Sequence, residues 1–438
     1  MAVKPADRLL FVIALTAFGI TLAVKLAVPG EKETPAGPES LSLTIHLAEG
    51  SGLEAEDLEI LITGYPRESQ NSAQPDYVLG QGAAIPPASG SADNDNNNSV
   101  IQIDITINAE DRIPDILIAG GQSLAGGIGA GLYLPLDRYY HAESQPFSTA
   151  GNWALPLVSA IDVLVYNIPL LQEAGFDRPP RTREDFLLYA RTIRALDEEN
   201  RTPGRRYALA LGLSPLDPRG LGRDIYSWFY ASALLLPKEG KPEFGGQDYT
   251  ATLDFFSTLN HEELIAPGSF SATGADRIEE FIRGTAAMMV VSTRDLRYIR
   301  EKMGNEAIGI TLIPHAAAYA GRPVFGLSTW YAGISAESPH PDESWALLQH
   351  LREQSAFLAE SLALVPGTGN YGPYISVDPL LDKAWSLYEA AETVPDFLSP
   401  GAVEDPDGAF RRELILMFQS STSAQEAARA IRQSWEER

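Results

Sequence analysis

The chain contains no cysteine, which excludes a disulfide framework, a thiolate metal site, a cysteine nucleophile and the cysteine that would carry a bacterial lipid anchor. Histidine is scarce: the six, at positions 46, 141, 261, 315, 340 and 350, lie apart and form no H-E-x-x-H or other close ligand pair. No G-x-S-x-G elbow, Walker loop or G-x-G-x-x-G after a strand occurs. The glycines at 126, 127, 129 and 131 fall inside a helix-like run, where close packing accounts for them. Carboxylates such as Asp254 and Glu262 read as ordinary solvated charges. An enzyme is not expected, and neither a cofactor nor a metal is implied. Basic residues are also in deficit, 33 Lys plus Arg against 58 Asp plus Glu, for a formal net charge of −25. That balance argues against nucleic acid or an anionic membrane surface as the main partner.

What remains is a chain of 438 residues, 45% hydrophobic and 9% aromatic, too long for one compact core and most economically two lobes. Its one long apolar run is N-terminal. Lys4 and Arg8 precede Leu9 to Val24, followed by Lys25 and Leu26 to Pro29. A secretory signal shares this layout, but Lys25 stands where cleavage residues belong. If Lys25 snorkels, the run reaches the roughly 20 residues needed to span a bilayer. Residues 1–28 are therefore read as a signal anchor with its N-terminus inside, or alternatively as a cleaved signal peptide, and 29–40 as a linker. Either reading puts most of the chain outside the cytoplasm. Further on, Pro86 to Ser99 is a polar low-complexity stretch, read as a solvated loop. Asp93, Asp95, Asn97 and Asp104 follow a calcium-loop spacing, but Asn98 replaces the glycine and the bidentate glutamate is missing; no metal site is assigned.

The organising stretch runs from Trp153 to Ile193. Ala154 to Tyr166 is rich in apolar and β-branched residues, the pattern of a strand buried on both faces. Asn167-Ile168-Pro169 then opens a short helix that stops at Gly175, where a left-handed backbone is needed. Thr182, three residues ahead of Asp185, starts the next helix in the manner of a capping box, with Phe186, Leu187, Tyr189, Ala190 and Ile193 on its apolar face. Upstream, Leu41 to Leu47 and Val100 to Ile107 alternate as strands. After Pro114, Asp115 to Ile118 is another, followed by a small-residue helix to Gly131 and Leu132-Tyr-Leu-Pro-Leu-Asp137. Downstream, Phe281-Ile-Arg-Gly284-Thr-Ala-Ala-Met-Met-Val-Val-Ser292 predicts a helix, a glycine stop and a buried strand. Ile308 to Pro314, Phe325 to Ser335, a helix over Ser344 to Leu351, a turn at Pro366-Gly367 and paired helices over Phe410 to Trp435 complete the chain.

These phrases together, over about residues 110 to 435, resemble the sugar-binding, maltose-binding-protein-like family of extracellular solute-binding proteins, the receptor subunits of ABC importers. The resemblance implies an α/β fold of two lobes with a hinged cleft, here preceded by the membrane anchor. The first lobe is expected from 41–160 plus about 308–365, and the second from 161–307 plus about 366–438. It implies a small-molecule ligand, a carbohydrate or related polar solute, with ABC permease subunits or another membrane protein as partner.

Open α/β sheets bind ligands at the carboxyl ends of their strands, so Gly120, Gly121 and Gln122 are candidates, alongside plain turn and capping roles. Ser159 and Asp162 on the organising strand, and Ser292 and Arg294 after the A-A-M strand, join them. Tyr226, Trp228, Trp330, Tyr331 and Tyr371 are candidate stacking residues, although aromatics at helical spacing also read as core. Ala119, Arg294 and Ala409 occupy positions where maltose-type relatives are expected to have aromatic platforms, and Ala160 replaces a frequent acidic residue, which argues against a linear glucan. Arg294 could instead meet a carboxylate or phosphate, or form a surface ion pair with Asp295 or Glu301. A second reading is a tethered sensor or scaffold that keeps the fold and acts through a membrane partner.

Overall fold

The computed structural model describes residues 40–47, 58, 62, 68–70, 100–107, 112–139, 152–200, 205–214, 223–232, 237–238, 241–242, 247–271, 273–355, 359, 365–366, 379–395 and 409–436. In chain order the strands and helices begin with β1 (Ser40–Leu47), β2 (Glu68–Gln70), β3 (Val100–Ile107), β4 (Ile116–Gly120), α1 (Gly121–Gly129) and β5 (Ala154–Asn167). Next come α2 (Ile168–Glu173), α3 (Arg183–Asn200), β6 (Tyr207–Ala210), α4 (Arg223–Tyr230), the small hairpin β7 (Pro237–Lys238) and β8 (Lys241–Pro242), and α5 (Gln247–His261). The remainder is α6 (Gly274–Ile282), β9 (Ala286–Ser292), α7 (Leu296–Met303), β10 (Ile308–Thr311), β11 (Val324–Ile334), α8 (Pro341–Glu353), β12 (Val365–Pro366), α9 (Pro379–Ala390), β13 (Glu392–Pro395), α10 (Ala409–Phe418) and α11 (Ala424–Glu436). The anchor run and the calcium-like spacing at 93–97 lie outside the described residues, among which no helix is long and apolar enough to cross a membrane.

The chain divides into two compact units: residues 1–123, 130–157 and 330–358 form one, and 124–129, 158–329 and 359–438 the other. In the first, β2, β3, β1, β4 and the second half of β11 lie in that order. The pairs β1–β3 and β1–β4 are parallel, whereas β4 and β11 run antiparallel. Asp115, 2% exposed, ties this unit together. Its carboxylate accepts the Thr44 N–H at 2.8 Å and the Ser338 hydroxyl at 2.6 Å, so the start of β4 holds β1 and the approach to α8. Burying an ionised carboxylate is tolerable only when such donors surround it. Gly333 marks a close approach in the same unit: a Cβ there would lie 2.7 Å from the Trp153 carbonyl oxygen.

In the second unit β5 pairs antiparallel with β9, β10 and β12, and β6 pairs parallel with β9. The alternation of β5 and β9 delivers side chains to two cores. Leu164, Met288 and Val290 face Phe186, Trp228 and Phe256, while Ile161, Val163, Val165, Met289 and Val291 face Leu296, Ile299 and Trp385. A strand covered on both faces needs no polar alternation, which is why its sequence is nearly continuous in apolar residues. Local signals end the helices as expected. Asn167 caps α2 by accepting the Leu170 N–H at 3.1 Å. Gly175, at φ +83°, closes it with Phe176 N–H on the Leu171 carbonyl and Gly175 N–H on that of Gln172, both at 2.9 Å. Gly284, at φ +75°, ends α6 in the same way before β9.

One expectation is corrected. The return to the first unit, expected near residue 308, comes at Trp330. Ile308–Thr311 instead adds β10 to the second unit, opposite Leu164 to Asn167 on the side of β5 that β9 does not pair. The second unit also buries two arginines. Arg277 forms an ion pair with Asp224, the side chains being 12% and 6% exposed, and Asp224 also accepts the Gly212 N–H at 2.8 Å. Arg183 donates to the Trp228 carbonyl at 2.8 Å and to the Ser232 hydroxyl at 3.2 Å, at the C-terminal end of α4, where the helix dipole favours a cation. Loss of water pushes the Arg183 guanidinium down to about 10.

Two outcomes test this account. Gly333→Ala lowers the unfolding free energy by about 1–3 kcal/mol in urea melts, since backbone must move to admit one methyl group; an unchanged midpoint would contradict the close approach. Arg277→Met removes the cation paired with the buried Asp224 carboxylate and costs about 3–5 kcal/mol, and Asp224→Asn combined with Arg277→Met recovers part of that loss. A double variant no better than the single one would refute the pairing.

Candidate functional site

Asp162 and Ser292 stand opposite each other on β5 and β9. By alternation they share the face that carries Leu164, Met288 and Val290 onto α4 and its neighbours. Asp162 is 8% exposed and accepts the hydroxyl of Ser227, on α4, at 2.8 Å. Next to it Thr293, in the 3-10 turn Thr293–Asp295 that follows β9, receives the Ile161 N–H on its hydroxyl oxygen at 3.4 Å. Further along β5, Ser159 and Thr329 share a hydroxyl–hydroxyl hydrogen bond of 2.8 Å, both side chains buried, where β12 pairs with Val158 and Ser159. The second unit thus places a carboxylate and hydroxyls where β5 meets the end of β9, with the Ser159–Thr329 pair three residues away on the opposite face of β5. Hydroxyls donate once and accept twice, so such a set can re-pair with a polar molecule without stranding a buried donor.

Arg294 occupies the middle of the same turn, two residues beyond Ser292. It is half-buried and makes no ion pair or hydrogen bond among the described residues; the alternative surface pair with Asp295 or Glu301 is not formed.

The aromatic candidates are placed differently. Trp228 is fully buried among Phe186, Phe255 and Phe256, with ring centroids 5.1, 5.0 and 5.7 Å away; its ring belongs to the core and offers no surface for stacking. The neighbouring Tyr226 stacks on Phe410 at 4.4 Å, which occupies one face of its ring. In the first unit Trp330 and Tyr331 are 6% and 2% exposed, and pair across the sheet with Gly120 and Ala119. Gly120 closes β4 and Gly121 and Gln122 open α1. Gly121 is buried, and no atom lies within 4 Å of where a Cβ of Gly120 would stand. Tyr371 lies outside the described residues. Sequence reasoning missed Ser227 and Thr329. Each is a small hydroxyl residue beside a conspicuous tryptophan, and only their spatial partners Asp162 and Ser159 mark them.

Comparison with known proteins fits this architecture. The family of bacterial extracellular solute-binding proteins matches residues 94–356. Binding proteins of Brucella abortus strain 2308 and Brucella suis biovar 1 are 23% identical over 251 residues, which is 54% of this chain. The matched stretch spans 58% of the length of those relatives. Among solved structures, the cyclic α-maltosyl-1,6-maltose binding protein of Arthrobacter globiformis superposes with a TM-score of 0.65 at 17% identity, covering 91% of this chain and 98% of that one. The GacH receptor of Streptomyces glaucescens gives 0.64 at 16% identity, with the same coverage. The maltose-bound T. maritima protein gives 0.63 at 17%, covering 90% and 98%. At such identities the structures establish the mixed α/β periplasmic-binding-protein fold, and the family match across residues 94–356 places the chain among the bacterial extracellular solute-binding proteins.

Proposed function

We propose that this chain is the extracytoplasmic substrate-binding subunit of an ABC importer, tethered to the membrane through residues 9–28, and that it takes up a carbohydrate or a related polar solute without chemically changing it. The observation that carries this reading is the polar group of Asp162, Ser227, Ser292 and Thr293 where β5 meets the end of β9. Every hydroxyl of a sugar must find a partner when it leaves water, because an unpaired one costs about 1–3 kcal/mol. Asp162, a buried carboxylate that accepts the Ser227 hydroxyl, suits that requirement. The structures of like fold are described as complexes of maltose and acarbose, which supports the ligand class.

One observation favours a second reading. With Trp228, Trp330 and Tyr331 buried and Tyr226 stacked on Phe410, none of the described candidate aromatics offers the broad open ring on which sugars stack. A tethered sensor or scaffold that retained the fold and works through a membrane partner would have that character.

Thermal unfolding of the full chain with a panel of mono- and disaccharides, polyols and sugar acids separates the two. A ligand at about one hundred times its dissociation constant adds roughly 2.7 kcal/mol to the folded state, giving a saturable rise in midpoint that Asp162→Ala abolishes. Flat curves over the whole panel from folded protein would favour the sensor or scaffold.

A further inference from the structure

We infer that Arg294 is a specificity-determining residue and that the solute of this protein carries an anionic group, a carboxylate or a phosphate on a sugar-like body. The inference rests on the solute-binding reading above and narrows its ligand class.

The position of Arg294 follows from the chain around it. Ser292 ends β9 opposite Asp162, Thr293 takes the Ile161 amide, and Arg294 comes next on the turn. At about 3.3 Å per residue, its backbone lies within two residues of the hydroxyl and carboxylate cluster. The residue is half-buried, yet its side chain makes no ion pair or hydrogen bond among the described residues. Three other partly buried arginines of the same unit are matched, Arg194 with Asp197, Arg206 with Glu173 and Arg277 with Asp224, whereas Arg432, like Arg294, makes no ion pair among the described residues. A chain with 58 acidic side chains has ample means to supply a partner at this position.

A guanidinium presents a planar fork of donors that matches a carboxylate or phosphate with two parallel hydrogen bonds. An uncharged sugar hydroxyl uses only part of that fork. The net charge of −25 does not oppose an anion at close range, because exposed charges are screened beyond about 8 Å at physiological salt. The local guanidinium therefore decides. The burial or stacking of the described candidate aromatics Trp228, Trp330, Tyr331 and Tyr226 points the same way: where those rings contribute little stacking, a charge-assisted contact is a means of holding a small, well-hydrated molecule.

The test is isothermal titration of the full chain with matched probes: glucose and galactose against glucuronate, galacturonate and glucose 6-phosphate. The expected result is that at least one acid binds ten or more times tighter than its neutral counterpart, and that Arg294→Gln levels the difference with little change in the ligand-free melting temperature. Preference for the uronates alone or for the phosphate alone assigns the anion. Equal binding of neutral and acidic sugars by the unaltered protein would overturn the inference and leave the solute-binding reading intact. Acid preference that survives Arg294→Gln would overturn the role of Arg294. Failure of every probe to bind folded protein would overturn the inference together with the reading on which it rests.

Discussion

A fourteen-residue strand from which nearly every side chain is hidden imposes one constraint on everything near it: each of its backbone amides and carbonyls must be paired by protein. Water cannot reach them, and an orphaned group would cost about as much as several ordinary contacts return. β5 meets the demand by drawing in β9, β10 and the two-residue β12 from widely separated parts of the chain. The same constraint governs its side chains. Ser159 and Asp162 are accommodated inside an apolar strand with Thr329 and Ser227 held against them. The polar cluster is consequently a fixed feature of the scaffold, placed by the same pairing that stabilises it.

α4 shows how that scaffold is kept rigid around the cluster. Ser227 attaches it to β5, and Arg183 holds its last turn through the Trp228 carbonyl and Ser232. Ser232 in turn accepts the Ala316 N–H at 2.8 Å, so the chain after β10 is joined to the same point. Trp228 fills the space between with its ring. Each contact is modest alone, but together they leave the hydroxyl of Ser227 little freedom to turn away from Asp162. Pre-organised polar groups of this kind bind with a smaller loss of entropy on association.

Much of this was legible beforehand where the signal was local. β5, the glycine stops at Gly175 and Gly284, the start of α3 after Thr182 and the buried β9 are all written in runs of a dozen residues or fewer, and they form as read. Long-range pairing was not legible. Ile308 to Thr311 has the alternation of a strand but nothing in it names β5 as its partner, so the boundary of the first unit was placed too early. β12 and β13 are too short to carry a pattern. At the site, Asp162, Ser159 and Arg294 stood out as polar residues near apolar strands, whereas Ser227 and Thr329 did not. The aromatics misled for a physical reason: a ring that packs a core and a ring that faces a solute occupy the same helical or strand spacing, and only the neighbours of Trp228 and Trp330 distinguish them.

The late arrival of β11 bears on how the protein is made. During synthesis β4 emerges with one edge unpaired, and its partner, Trp330 to Ile334, is added only after the whole stretch 158–329 of the second unit has been translated. The first unit cannot complete its sheet until then. In a soluble cytoplasmic protein an exposed strand edge of that duration invites mispairing. For a member of a family that works outside the cytoplasm it is an advantage, because a chain that folds late is a chain that can still be threaded through a narrow translocation pore.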